Sequence, residues 1–372
     1  MRNVRQANIN IHKDAWVEIN LEYLAQNISE IKKCIPVGKK LMAIVKADAY
    51  GHGAQMLAQT MLASGVDWFG VSSIDEGLDL RQLKIKAPIL VVGAVPVWAF
   101  ETAVLNNISI SIFNESHISA CKEVFDRTGK KAKVHIKIDT GMNRIGVRSE
   151  EAIDFINFVK ELDFIEFEGV FTHLSSAEEI DITKEQINTW NEIIAQIDTP
   201  DLLLHIQNTA GTFAYNINSN MVRVGISLYG LYPDLPTGVK KPKLKQILSL
   251  KGRITNIHNL LAGESVSYGH TFTAYETTKV ATIPIGYADG VSRMLSNKIV
   301  AKIGDKKIRQ IGNITMDQMM FDLEDVSAQI GDVITLLDED DLSLDAWANI
   351  LGTINYELTC RLKVRLPRIY TR

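Results

Sequence analysis

Residues 41–53 read LMAIVKADAYGHG, and the fold turns on how this stretch is understood. Leu41–Lys46 is an apolar run that ends on a lysine, the pattern of a strand buried on both faces. Runs of the same kind recur at Trp68–Ser72, Pro88–Gly93, Ile108–Phe113, Lys133–Asp139, Ile165–His173, Leu202–Gln207 and Met221–Ile226. Between them, Gln55–Ser64, Ala152–Leu162 and Lys184–Gln196 carry apolar residues at helical spacing. Apolar strands alternating with amphipathic helices predict an α/β fold with parallel strands, and eight of them predict a closed (β/α)8 barrel. A doubly wound open sheet is the rival arrangement. Its G-x-G-x-x-G turn after the first strand is absent.

Working outward, the pattern changes near residues 233–245, where Pro233, Pro236, Gly238 and Pro242 sit among lysines like a linker. Beyond it, strand-like runs cover Ile247–Ile257, Lys279–Ile285, Ile299–Ile303, Met319–Leu323 and Asp332–Leu336, with a helix-like stretch at Leu344–Leu351. Residues 1–238 are therefore expected to form the barrel and 239–372 a mostly β domain. Ala15–Asn20 also reads as a strand, and it fits the second domain better than the barrel. A length of 372 residues suits two cores better than one.

Bulk properties narrow the function. A net charge of −4 gives no basis for binding nucleic acid or an anionic membrane surface. Cys34, Cys121 and Cys360 are too few and too scattered for a disulfide framework or a metal cluster, which fits a reducing cytoplasm. No stretch has the length and apolarity of a membrane span, and the first residues have no signal-like apolar core.

The chemistry sits at the ends of the predicted strands, which in a barrel face the active site. An amine at such an end, beside apolar walls, loses part of its proton affinity and becomes a nucleophile toward carbonyls. Lys46 occupies that position, although a snorkelling structural lysine would look the same. Lys137 and Arg144 in KIDTGMNRIGV could hold a carboxylate, or form an ordinary ion pair. His173 closes GVFTHL; Thr209, after Asn208, opens a helix start that could take a phosphate or serve as a plain cap. Arg223 lies inside the apolar run MVRVG, where its charge demands a partner; a carboxylate is the simplest.

Taken together, these segments resemble the alanine racemase family. AIVKADAYGHG is similar to its pyridoxal-phosphate attachment motif, with Asp48 where Asn is common. VSYGHTFTA, IGYADG, NITMDQ and NYEL…RLPRIY resemble its second-domain motifs in the same order, so the resemblance runs from Trp16 to Tyr370. It implies that Lys46 forms the aldimine with pyridoxal 5'-phosphate and that Tyr268 is the opposing base. By the same resemblance Tyr50, Thr209, Gly225, Ile226 and Tyr356 bind the phosphate, while Asn208 lies nearby and Val92 packs near the cofactor. His173 sits by the ring and Arg223 faces its nitrogen. Arg144 and the backbone of Met316 face the substrate carboxylate. Lys137, carbamylated in many members, bridges to Arg144, and Tyr287 lines the entrance. Thr209 stands where Ser is common and Thr315 where Cys is common.

The resemblance further implies an isomerase that interconverts L- and D-alanine by two bases. It would be a cytoplasmic homodimer with composite active sites, supplying D-alanine for peptidoglycan. A decarboxylase of the same barrel class fits less well, because VRVG and SYG lie outside its usual pattern. A pyridoxal-phosphate carrier protein would lack the β domain. A racemase of serine or broader specificity differs by a few pocket side chains, and Tyr356 favours alanine.

Overall fold

The computed structural model describes residues 12–197 and 201–372; the reading of the first residues as lacking a signal-like core falls largely outside the described residues. Two compact units emerge. One comprises residues 25–49 and 54–244; the other takes the chain up to Leu24, Tyr50–Gly53 and residues 245–372.

The first unit is the barrel. Parallel strands Lys40–Ile44, Trp68–Val71, Ile89–Val91, Ser109–Ile112, Ala132–Asp139, Ile165–Phe171 and Leu203–His205 pair in chain order, and Met221–Val224 pairs back onto Lys40–Ile44. The remaining seam, between Leu203–His205 and Met221–Val224, is bridged by single bonds rather than a ladder. Asn220 N–H donates to the Leu204 carbonyl at 3.0 Å and Arg223 N–H to that of Gln207 at 3.0 Å. The Asn220 amide oxygen accepts from Leu204 N–H at 2.8 Å, so a side chain completes what the backbone leaves open. Most strand residues are fully buried, as expected of parallel strands covered by helices on one side and closed on themselves on the other.

The barrel strand Ile165–Phe171 carries one extra residue. Val134 pairs with Phe167 and His135 with Gly169, so Glu168 bulges out of register. A bulge re-aims the side chain it carries.

The second unit is built on a nine-stranded sheet. Its order is Asn256–Leu260, Thr278–Ile283, Met319–Asp322, Lys306–Ile311, Val300–Ile303, Val333–Leu337, Leu248–Arg253, Ala15–Asn20 and Arg368–Thr371. Ala15–Asn20 runs antiparallel to Leu248–Arg253 and parallel to Arg368–Thr371, so strands far apart in sequence are stitched side by side in this sheet. The run Ile247–Ile257 divides into two strands around Ile254–Thr255. Lys306–Ile311 is a strand that the apolar pattern does not announce. Three of its six residues are exposed cations, and only Ile308, Gln310 and Ile311 are buried. Leu260, Val266, Ala274, Val280, Ile311 and Met320 pack into one apolar cluster with Phe272 against it. Burying each larger side chain contributes roughly 1.5–3 kcal/mol, which fixes the roots of the loop between Val266 and Phe272.

Candidate active site

Lys46 follows the first barrel strand and is exposed at its carboxyl end. The chain then turns the wrong way for L-residues. Ala47, Asp48, Ala49 and Tyr50 have φ of +52°, +53°, +53° and +54° before Gly51 at +79°, a left-handed turn over Lys46–Gly51. Each non-glycine residue in this region costs about 1–2 kcal/mol. Such strain persists only where its surroundings impose it, and it concentrates at functional sites. Gly51 is obligatory for a second reason, since a Cβ there would lie 2.4 Å from the Thr359 carbonyl oxygen. Asp48 tolerates the left-handed region as Asn does, and its carboxylate accepts from Ala54 N–H at 2.7 Å. The departure from Asn is thus locally satisfied.

Arg223, 3% exposed, is the hub of the barrel interior. Among the described residues no carboxylate touches it. Nη1 donates to His205 Nδ1 at 2.8 Å and to the His205 carbonyl at 2.8 Å. Nη2 reaches the carbonyls of Thr172 at 2.7 Å and Ile206 at 3.1 Å, and His173 Nδ1 at 3.2 Å. The guanidinium also faces the Phe171 ring, 5.5 Å from its centroid. Burial pushes the guanidinium down to about 9, which leaves it charged at neutral pH.

Because a guanidinium only donates, the acceptor at His205 Nδ1 fixes that ring's tautomer. His205 then carries its proton on Nε2, 2.9 Å from His135 Nδ1, and His135 in turn carries its own on Nε2, 3.6 Å from Glu168 Oε2. Glu168, the bulged residue, also accepts from Ser109 Oγ and pairs with Lys133. His205 and His173 are both held well below the ordinary histidine range, first by burial and then by Arg223. Both rings are therefore neutral. Lys46, Lys137 and Arg144 add to the same positive field at His173.

Lys137 is 2% exposed, and burial followed by Arg223 lowers its amine to about 7. Its ammonium donates to the Ile138 carbonyl at 2.6 Å. The structure does not show a bridge from Lys137 to Arg144; two cations repel, and Arg144 is one of the charges that depress Lys137. Asp139 organises the loop between them by accepting from Gly141, Met142 and Asn143 N–H, each at 3.0 Å.

Asn208 caps the short helix Thr209–Ala214 by accepting from Gly211 N–H at 2.8 Å. Thr209 Oγ1 accepts from Gly225 N–H at 3.0 Å, so its own proton remains available to an acceptor. Gly225 N–H thus points at Thr209 in this structure. Ile226 is buried beside it and Val92 is half-buried past its strand.

In the strand-rich unit three separate motifs converge. Asn313 Nδ2 donates to the Tyr268 carbonyl at 2.7 Å, and Ser267 Oγ to the Asn313 carbonyl at 2.6 Å. Tyr287 N–H and Ala288 N–H donate to the carbonyls of Thr315 and Met316, each at 3.0 Å. Gly286 admits this approach, since a Cβ there would sit 2.3 Å from the Thr315 oxygen. The side chains remain open, with Tyr268 75%, Tyr287 42% and Met316 54% exposed. Within the same unit the rings of Tyr50 and Tyr356 meet edge-on, 5.9 Å between centroids.

Comparison with known proteins follows the same division. The model of the alanine racemase N-terminal domain matches residues 19–233, and that of the C-terminal domain matches residues 247–370. The chain belongs to the alanine racemase family. It is 39% identical to an alanine racemase of Nostoc sp., over 95% of each chain. It is 37% identical to alanine racemase 1 of Oceanobacillus iheyensis, over 96% of this chain and 98% of that one. Among solved structures, the alanine racemase of Clostridium difficile superposes with a TM-score of 0.91 at 35% identity, over 97% and 96% of the two chains. That of Bacillus anthracis with bound L-Ala-P gives 0.89 at 32%, over 98% and 96%. Family membership makes the chain an isomerase, and a match that covers both units sets it apart from single-barrel pyridoxal-phosphate proteins.

Set beside the family motifs, several residues were missed by the sequence reading. His135 shares one face of KVHIKID with Lys137 and Asp139, and that period-two polar face on an otherwise apolar barrel strand was the available signal. Glu168 is placed by a bulge, which leaves no mark in sequence. Asn313 and Asp289 are ordinary turn residues until tertiary structure supplies their partners. Asp289 is fully buried, pairs with Lys13 and Arg365, and accepts from Gly286 N–H at 2.9 Å. No helix of the described residues is long and apolar enough to cross a membrane.

Proposed function

We propose that this chain interconverts L- and D-alanine with pyridoxal 5'-phosphate, using Lys46 and Tyr268 as bases on opposite faces of the substrate. The cofactor, when bound, supplies a conjugated system that lowers the cost of removing the α-proton. The donor set suits it. Lys46 Nζ attaches it and then takes or returns the proton on the D side. Thr209 Oγ1, the amide of Ile226 and the hydroxyls of Tyr50 and Tyr356 would hold its phosphate, the Gly225 amide, which bonds Thr209 Oγ1 here, being shared with it, and Asn208 fixing the helix start. Val92 and His173 flank the ring. Arg144 and the Met316 amide take the substrate carboxylate, and Tyr287 lines the way in.

The observation that carries this reading is Arg223, a buried guanidinium held by carbonyls and neutral imidazoles, with no carboxylate in contact among the described residues. Set against the cofactor's ring nitrogen, it would offer a hydrogen bond without surrendering a proton, which would disfavour side reactions that need a fully protonated ring. It also supplies positive charge for a tyrosine base, a group whose ordinary value near 10 needs help at neutral pH. His173, being neutral, contributes orientation and not charge. Lys137 meets the condition for carbamylation, since an amine at about 7 has a substantial neutral fraction at neutral pH. The resulting anion would turn the repulsion with Arg144 into a bridge.

The exposure of Tyr268, Tyr287 and Met316 supports a homodimer in which each strand-rich unit completes the partner's barrel site. The site so assembled serves a cytoplasmic supply of D-alanine for cell-wall peptidoglycan. Lys46→Ala should lose both borohydride-fixable cofactor attachment and racemisation. Tyr268→Phe should keep attachment and lose exchange of the L-alanine α-proton by roughly 10²–10⁴-fold. Mixing the two variants should restore part of the activity. Normal L-side exchange in Tyr268→Phe would break the base assignment, and no recovery on mixing would break the shared site.

A further inference from the structure

The left-handed turn after Lys46 needs something to hold it, and the barrel provides a carboxylate from the neighbouring strand end. Ala47 N–H donates to Glu76 Oε1 at 2.6 Å. Glu76 Oε2 accepts from Ser72 N–H at 2.7 Å and from Ser72 Oγ at 2.9 Å. Ser73-Ile74-Asp75-Glu76 reads as a capping box, in which the glutamate would turn back to the N–H of its own N-cap. Half of the box is present, with Ser73 Oγ accepting from Glu76 N–H at 3.3 Å. The carboxylate, however, bonds one residue earlier, to Ser72, and reaches across to the Lys46–Ala47 peptide. It ties the ends of two adjacent barrel strands together.

We propose that Glu76 is a positioning residue for Lys46: its carboxylate fixes the Lys46–Ala47 peptide plane in the strained turn and thereby sets where the lysine amine stands. Holding the Ala47 N–H fixes ψ of Lys46, the torsion beside its Cα, and so the direction in which the side chain leaves the strand. Ala49 N–H donating to the Val45 carbonyl at 2.8 Å and Asp48 receiving Ala54 N–H close the rest of the turn. Glu76 accepts from the first peptide of the turn. A displacement of about 1 Å at a reacting group can cost 10²-fold in rate, so a backbone clamp adjacent to the amine matters more than its partly exposed setting suggests.

The inference rests on the reading of Lys46 as the attachment lysine, and its test separates the two. Glu76→Gln keeps one acceptor oxygen but cannot serve both Ala47 and Ser72; Glu76→Ala removes both. Apo-protein of each variant is reconstituted with pyridoxal phosphate, and the rate of covalent attachment is followed by borohydride-fixable absorbance. Deuterium isotope effects are then measured with Cα-deuterated D- and L-alanine. Attachment should slow about 10-fold or more, and the D-side isotope effect should rise relative to the L-side one, because proton transfer at Lys46 becomes more limiting. Ala47→Gly, which adopts a positive φ without penalty, should recover part of the attachment rate in the Glu76→Gln background and change little alone. A role confined to fold stability would lower the melting temperature without moving the isotope-effect ratio, and that result overturns the proposal. So would wild-type attachment rates in both variants, or no recovery by Ala47→Gly. Should Glu76→Ala fail to fold, Glu76→Gln with its Ala47→Gly partner still decides. Covalent attachment persisting in Lys46→Ala would instead sink the assignment of Lys46 itself.

Discussion

The two units place their functional groups by opposite means. In the barrel, Arg223, His205, His135 and Lys137 are each almost wholly buried, and side-chain hydrogen bonds determine even which imidazole nitrogen carries a proton. In the strand-rich unit Tyr268, Tyr287 and Met316 are exposed, and what is fixed is the backbone beneath them, through Asn313 and the paired carbonyls of Thr315 and Met316. The barrel is a finished electrostatic environment. The other unit presents anchored loops whose side chains are exposed, as the proposed composite site would require.

The largest effect should follow from removing the barrel's hub. Arg223→Ala takes the guanidinium donor from the buried carbonyls of Thr172 and Ile206, leaves that of His205 with only the Thr172 N–H, and opens a cavity against Phe171. A loss of about 3–5 kcal/mol is expected in denaturant titrations. Amide exchange should accelerate first in the strand Ile165–Phe171. Arg223→Lys keeps charge but cannot fork to five acceptors, and should fall between the two. Near-normal stability in Arg223→Ala would mean that water replaces the guanidinium, and the barrel interior is then less completely specified than its contacts imply.

A smaller loss is expected at the anchor of the exposed loops. Asp289 is fully buried, but its partners Lys13 and Arg365 keep 22% and 43% of their side-chain surface in solvent. Asp289→Ala should therefore cost about 3 kcal/mol, at the low end for breaking a buried pair, because both cations retain water. It should also free the Tyr287 turn, since Asp289 receives the Gly286 amide. Activity should fall further than stability predicts. If the two fall in proportion, the backbone pins are structural only.

How much of this was legible follows the same divide. The eight barrel strands stand out as apolar runs because parallel strands are buried on both faces, and Lys46, Arg223 and Lys137 are conspicuous as charges at the ends of such runs or within them. Of the two strands of the other unit that escaped, Lys306–Ile311 is rich in cations although it pairs in a hairpin with Val300–Ile303, and Arg368–Thr371 is an edge strand whose partner, Ala15–Asn20, lies far away in sequence. Arg223 seemed to require a carboxylate, and the sequence offers no way to see that carbonyls and imidazoles would satisfy it. Sequence order likewise assigns Tyr50–Gly53 to the barrel, whereas their packing is with Thr359 and Tyr370 of the strand-rich unit. Left-handed turns, bulges and tautomers are products of tertiary constraint; no local propensity announces them.

The finest test concerns Lys137, where burial changes a titration and not a fold. Burial first, then the charges of Arg223 and Arg144, bring its amine to about 7, with Asp139 opposing them. Between about 7 and the ordinary lysine value near 10.4, the unfolded chain binds a proton at this site that the folded chain does not. The site's contribution to stability therefore rises with pH across that window and is level below it. In carbonate-free buffer, the NMR signal of selectively labelled Lys137 should titrate with a midpoint near 7. Asp139→Asn should move the midpoint down, because it removes the one charge that favours the ammonium, and Arg144→Met should move it up. Bicarbonate should abolish the titration by converting the neutral amine to carbamate. A midpoint in the ordinary lysine range would show that the barrel interior is wetter than its packing suggests, and the contrast between the two units would lose its electrostatic half.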